Sequence, residues 1–126
     1  MGYRGFFSQA SASGRPLTTN GTFPKGVEYW ADKLLGVISD VKFSINGIAP
    51  AVNEQIMCGI DTEKQLQNIE YYLQQRKALG SHSTVTLQCT FMKSNLYELK
   101  NIIRWGIAHG VDRIKGLWYR HNGACL

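Results

Sequence analysis

In DVKFSIN, residues 40–46, Val41, Phe43 and Ile45 alternate with Lys42, Ser44 and Asn46. Successive side chains of a strand point to opposite faces, so this is a strand with one apolar and one polar side. The same period of two recurs in TVTLQCTFM (84–92), where Val85, Leu87, Cys89 and Phe91 oppose Thr86, Gln88, Thr90 and Met92. RPLTT (15–19), closed by the turn pair Asn20-Gly21, and VDRIKG (111–116) predict two further strands.

Between the strands the helical period takes over. In GVEYWADKLLGV (26–37), Val27, Trp30, Ala31 and Leu34 form one stripe. A second helix opens at Thr62, whose spacing to Gln65 suits a capping box, buries Leu66, Ile69 and Leu73, and stops at Gly80. A third starts at Ser94 or Asn95, turns Leu96, Leu99, Ile103 and Ile107 inward, and ends at Gly110. The connection GIAPAVNEQIMCGID (47–61) holds a short helix opened by Pro50.

Strands alternating with helices imply right-handed crossovers and a parallel sheet, an α/β fold of parallel βα repeats. No linker or change in composition divides residues 1–126, so a single domain is expected, with 117–126 as an irregular tail. A complete eight-unit barrel takes about 250 residues. Three units and a final strand make either a small open sheet or half of a (β/α) barrel.

The apolar rows must meet the helices, which leaves the polar rows on the opposite surface, in a barrel the interior. Barrel interiors are usually filled by branched apolar side chains, so these rows imply a wet cavity. Left without partners, Ser44, Asn46, Gln88 and Thr90 would each cost about 1–3 kcal/mol, so water or a ligand must satisfy them. Ligands of parallel α/β folds bind at the carboxyl ends of strands. Asn20, Ser44, Asn46, Gln88, Thr90 and Lys115 lie at or near such ends and are the candidate binding residues. Each has a plainer role beside this one. Asn20 is first of all a turn residue, Lys115 is as well suited to a salt bridge near Asp112, and Asn95 suits a helix cap better than a ligand contact.

Composition narrows the classes. The chain of 126 residues is 44% hydrophobic and 18% charged, as soluble globular domains are. Neither of the longer uncharged runs, 43–53 and 78–92, is long enough to span a bilayer, and the start has no secretion signal, so the expected location is the cytoplasm and no membrane partner is implied. A net charge of +5 is spread out, with Lys93, Lys100 and Arg104 on the polar side of one helix, so a nucleic-acid partner is not indicated. Cys58, Cys89 and Cys125 are odd in number and widely spaced, which indicates neither a disulfide framework nor a zinc ribbon; Cys89 shares the apolar row and reads as a buried thiol.

Five segments in order, LTTNGTF, DVKFSINGI, NEQIMCGID, VTLQCTFMKSNLYEL and GVDRIKG, resemble the later strands of the radical S-adenosylmethionine (SAM) enzymes, particularly bacterial members that modify peptides. The likeness spans residues 17–116 and rests on the order of segments, with no single diagnostic motif. It implies a partial barrel in which an iron-sulfur cluster cleaves SAM to a 5′-deoxyadenosyl radical. Ser44 and Asn46 would then hold the ribose and carboxylate of SAM, Gln88 would line the same space, and the backbone near Lys115 would approach the adenine or a peptide or small-molecule substrate. The family's C-x-x-x-C-x-x-C cluster motif and its glycine-rich SAM segment have no counterpart in this sequence. The resemblance therefore implies a C-terminal part of such a core, inactive alone, whose partner would be the missing N-terminal half of the barrel. A SAM or nucleotide binding module and a small α/β interaction domain are the other readings.

Overall fold

The computed structural model describes residues 9–10 and 15–119. A five-stranded sheet runs in chain order: β1 (Gln9–Ala10), β2 (Pro16–Thr19), β3 (Asp40–Ser44), β4 (Thr84–Phe91) and β5 (Arg113–Trp118). β2 to β5 are parallel, and β1 is antiparallel to β2. The crossovers contain α1 (Val27–Val37), α2 (Pro50–Ile56), α3 (Thr62–Leu79) and α4 (Leu99–His109), the last preceded by a 3₁₀ turn at Leu96–Glu98. This is the expected α/β fold of parallel βα repeats. β5 runs two residues past the expected strand, pairing Leu117 with Thr90 and Trp118 with Phe91, so the start of the supposed tail is strand. Residues 120–126 lie outside the described residues.

The alternation read from the strands sorts the two faces. Leu17, Val41, Phe43, Val85, Leu87 and Cys89 are buried in one core with Val27, Ala31 and Leu34 of α1, Ile69, Tyr72 and Leu73 of α3, and Ile102 of α4. Edge-to-face rings knit its centre, with Phe43 5.5 Å from Tyr72 and 6.1 Å from Phe23. The opposite face carries Lys42, Ser44, Thr86, Gln88 and Thr90, and none of these three helices covers it.

Two helix readings need correction. Asp61, not Thr62, caps α3, its Oδ1 accepting from the Lys64 N–H at 3.1 Å. Thr62 and Gln65 are buried within the helix and serve contacts described below. In α4 the buried positions are Ile102 and Gly106, whereas Leu96, Ile103 and Ile107 are exposed. Gly106 is where the helix meets β5: a Cβ there would stand 2.8 Å from Val111 Cγ2 and 3.0 Å from Ile114 Cδ1. The stops at Gly80 and Gly110 are as read, both in the left-handed region at φ 61° and 80°.

Candidate functional site at the carboxyl ends of the strands

Ser44, Gln88 and Lys115 are register partners across β3, β4 and β5 and form one row on the helix-free face. At about 4.8 Å between strands the row is about 10 Å long. Thr90 stands one step nearer the carboxyl ends, and Lys42, Thr86 and Arg113 form the row below. Ser44, Gln88 and Thr90 are half-buried, and their side chains make no hydrogen bond with a described residue. Lys115 is exposed and makes no ion pair with a described residue. A hydroxyl, a carboxamide and an ammonium thus stand together with hydrogen-bonding capacity unspent. Helices α1, α3 and α4 pack on the other side of the sheet, so among the described residues these three leave this face to the polar rows.

Asn46 and Asn20 are drawn into other work. Asn46 is buried and clamps two strand ends: its Oδ1 accepts from the Thr90 N–H at 2.7 Å, and its own N–H donates to Asn53 Oδ1 at 2.8 Å. Its oxygen already holds one partner, and its Nδ2 makes no hydrogen bond with a described residue. Asn20 Oδ1 accepts from the N–H and hydroxyl of Thr22, at 3.0 and 2.8 Å, the local bonding of a turn.

Behind the row lies a set of buried polar side chains that sequence reasoning missed. Gln65 donates from Nε2 to the carbonyls of Asn20 and Ser44, both at 2.7 Å, tying the ends of β2 and β3 to α3. Asn53 Nδ2 donates to Thr62 Oγ1 and Gln65 Oε1, both at 3.0 Å, and Asn68 donates to the Gly21 carbonyl at 2.8 Å. Asn95 forms no helix-cap bond; its Nδ2 donates to the carbonyls of Asn46 and Thr90, at 3.0 and 2.9 Å. Glu98, also buried, accepts from the N–H groups of Ile48 and Ala49 at 2.8 and 2.7 Å and from Asn101 at 2.6 Å. Gly47 is needed where these loops converge, since a Cβ would lie 3.2 Å from Asn53 N, Glu98 Oε1 and Val52 Cγ1. The available signal was the buried stripe of α3, in which Gln65 and Asn68 sit in phase with Ile69, Tyr72 and Leu73.

The amino ends of the strands are closed by ion pairs. Asp40 Oδ1 accepts from the hydroxyls of Thr84 and Thr86 and from Arg113 Nη2, at 2.7, 3.1 and 3.0 Å. Asp112 pairs with Arg76, so Lys115 is not its salt-bridge partner. Burial alone would raise the Asp112 carboxyl, but the Val85 N–H and the Arg76 guanidinium hold it below the usual carboxylate range. Burial pushes the Cys89 thiol up to about 12, as an unreactive core residue. Cys58 is disulfide-bonded, which the odd cysteine count did not indicate. Among the described residues no group of three His, Cys, Asp or Glu side chains could hold a metal ion. No helix among them is long and apolar enough to cross a membrane.

No family model and no curated protein matches the chain. Solved structures do. The parallel sheet with its helices superposes on Streptococcus suis SuiB bound to S-adenosylmethionine with a TM-score of 0.67, at 16% identity over 85% of this chain. The fold resembles part of SuiB. SuiB bound to its precursor peptide SuiA matches over 83% of this chain with a TM-score of 0.62, again at 16% identity. The chain spans 22–23% of the length of SuiB in these structures. At this identity the likeness to SuiB is one of fold.

Proposed function

We propose that the helix-free face of β3–β5 is a wall for SAM, and that the chain supplies part of a radical SAM core acting on a peptide. The observation that carries this reading is the in-register row Ser44, Gln88, Lys115, with Thr90 beside it, polar and unpartnered where the opposite rows are buried under helices. The fold likeness to SuiB, solved with SAM and with a precursor peptide, supports it. The chemistry fits the cofactor: SAM offers ribose hydroxyls for Ser44 and Gln88 and a carboxylate for Lys115. An iron-sulfur cluster does not fit the described residues, which bring no group of three cysteines, histidines or carboxylates together. Radical chemistry would need a cluster supplied from elsewhere, and this chain alone is expected to bind without reacting.

Calorimetric titration with SAM tests the proposal. Saturable binding should weaken at least ten-fold in Ser44→Ala/Gln88→Ala, whose side chains support no described hydrogen bond in the fold. Asn46 is a poor choice for this experiment because it clamps β3 to β4. Absence of binding at millimolar SAM, or binding indifferent to the double substitution, would count against the wall.

A further inference from the structure

The two edges of the sheet differ. The β2 edge is covered by β1, which pairs with Leu17 and Thr18, and Pro16 has no N–H to offer. Among the described residues no strand pairs with the outer edge of β5. An open edge is a template for a further strand. On the helix side of this edge runs an apolar groove of about 350 Å³ between β5 and α4, lined by Leu96, Leu99, Ile103, Ile114 and Trp118 among others. Trp118 is 56% exposed and Ile103 38%. A second groove of about 530 Å³ adjoins it at Leu96 and Leu99 and adds Lys100 and Arg104 to the rim. On the other side of the same strand stand Lys115 and Arg113.

The charge here is one-sided. Lys100, Arg104 and Lys115 make no ion pair with a described residue. The acids closest in sequence are spent: Glu98 is buried against backbone N–H groups, and Asp112 is paired with Arg76. A second copy would bring the same cations to the same edge, so electrostatics favours a different occupant. An added strand sends alternate side chains to the two faces, with apolar ones into the groove and the others toward Lys115. We propose that the β5 edge binds an acidic extended peptide with alternating apolar and carboxylate residues, which pairs with β5 and seats its apolar face against Ile103 and Trp118. This mode is strand addition, with main-chain bonds giving affinity and alternate pockets giving specificity. It shares Lys115 with the wall proposed for SAM and otherwise concerns a separate surface, on the edge and helix side of β5.

Fluorescein-labelled EVEIEVE and KVKIKVK peptides provide the test, read by anisotropy at low and high salt. The acidic peptide should bind with an affinity that falls as salt rises, the basic one should not, and amide exchange along β5 should slow in the complex. Ile103→Glu and Lys115→Glu should each weaken acidic-peptide binding at least ten-fold, with circular dichroism confirming that both variants fold. Equal binding of the two peptides, binding unchanged in both variants, or protection away from β5 would overturn the proposal. So would sedimentation showing a dimer whose β5 amides are already protected, because a second copy would then hold the edge.

Discussion

Replacing Gln65 by leucine asks whether buried amides hold the carboxyl ends of the strands in place. Gln65 is 1% exposed, and one side chain serves three partners: the carbonyls of Asn20 and Ser44, and Asn53 Nδ2. Leucine has nearly the same volume and leaves all three short of a partner. A buried polar group that loses its hydrogen bond costs about 1–3 kcal/mol. The two carbonyls are partly buried and belong at the low end, while Asn53, fully buried, keeps Thr62 as a second acceptor. The loss is then about 3–5 kcal/mol, offset by roughly 1 kcal/mol from the extra apolar burial. A net cost of about 2–4 kcal/mol is a large share of the 5–15 kcal/mol typical of a domain. In urea, with a slope near 1.5 kcal/mol per molar, the midpoint should fall by about 2 M. Gln67→Leu, one turn-fraction away but exposed, should shift it by less than about 0.5 kcal/mol. If the two substitutions cost the same, the buried amides are not what ties β2 and β3 to α3.

Three other outcomes follow from particular groups. Asp112 has its carboxyl lowered in the folded chain, so it adds stability above the unfolded value near 3.9 and loses it as pH falls through the folded one. Asp112→Asn should therefore flatten the acid limb of the unfolding midpoint measured between about pH 5 and 2, and an unchanged limb would exclude that linkage. The hydroxyls of Tyr72 and Ser83 are both buried without an ordinary hydrogen bond, so Tyr72→Phe should cost less than about 1 kcal/mol in the same urea assay; a loss above 2 kcal/mol would reveal a partner for the hydroxyl. Cys89, raised to about 12 by burial, should resist a thiol reagent at pH 8 in the folded chain and react once urea unfolds it; labelling at equal rates in both states would contradict its burial.

The strand faces were legible because a period of two leaves no ambiguity: Phe43 and Leu87 lie under helices, Ser44 and Gln88 on the helix-free side, as their alternation implies. The glycine stops of α3 and α4 were legible for a similarly local reason, a left-handed residue that other side chains avoid. The burial of α4 was not. Its sequence holds two apolar stripes, and periodicity cannot say which is covered; packing on β5 selects Ile102 and Gly106 and leaves Ile103 and Ile107 outside. Nor were the amide clamps, since Asn95 reaches Asn46 across 49 positions and Gln65 reaches Asn20 across 45, separations that no local pattern records. Of the candidate residues, Asn46 shows this most clearly: its row position follows from alternation, while its commitment to Thr90 depends on the neighbouring strand.

Mapping the amide and side-chain resonances of the ¹⁵N-labelled chain during a SAM titration examines the proposed wall most directly. Shifts should concentrate at Ser44, Gln88, Thr90 and Lys115 and leave Val41, Phe43 and Leu87 nearly unmoved. Shifts centred on α1 or α3, or none at millimolar SAM, would contradict it.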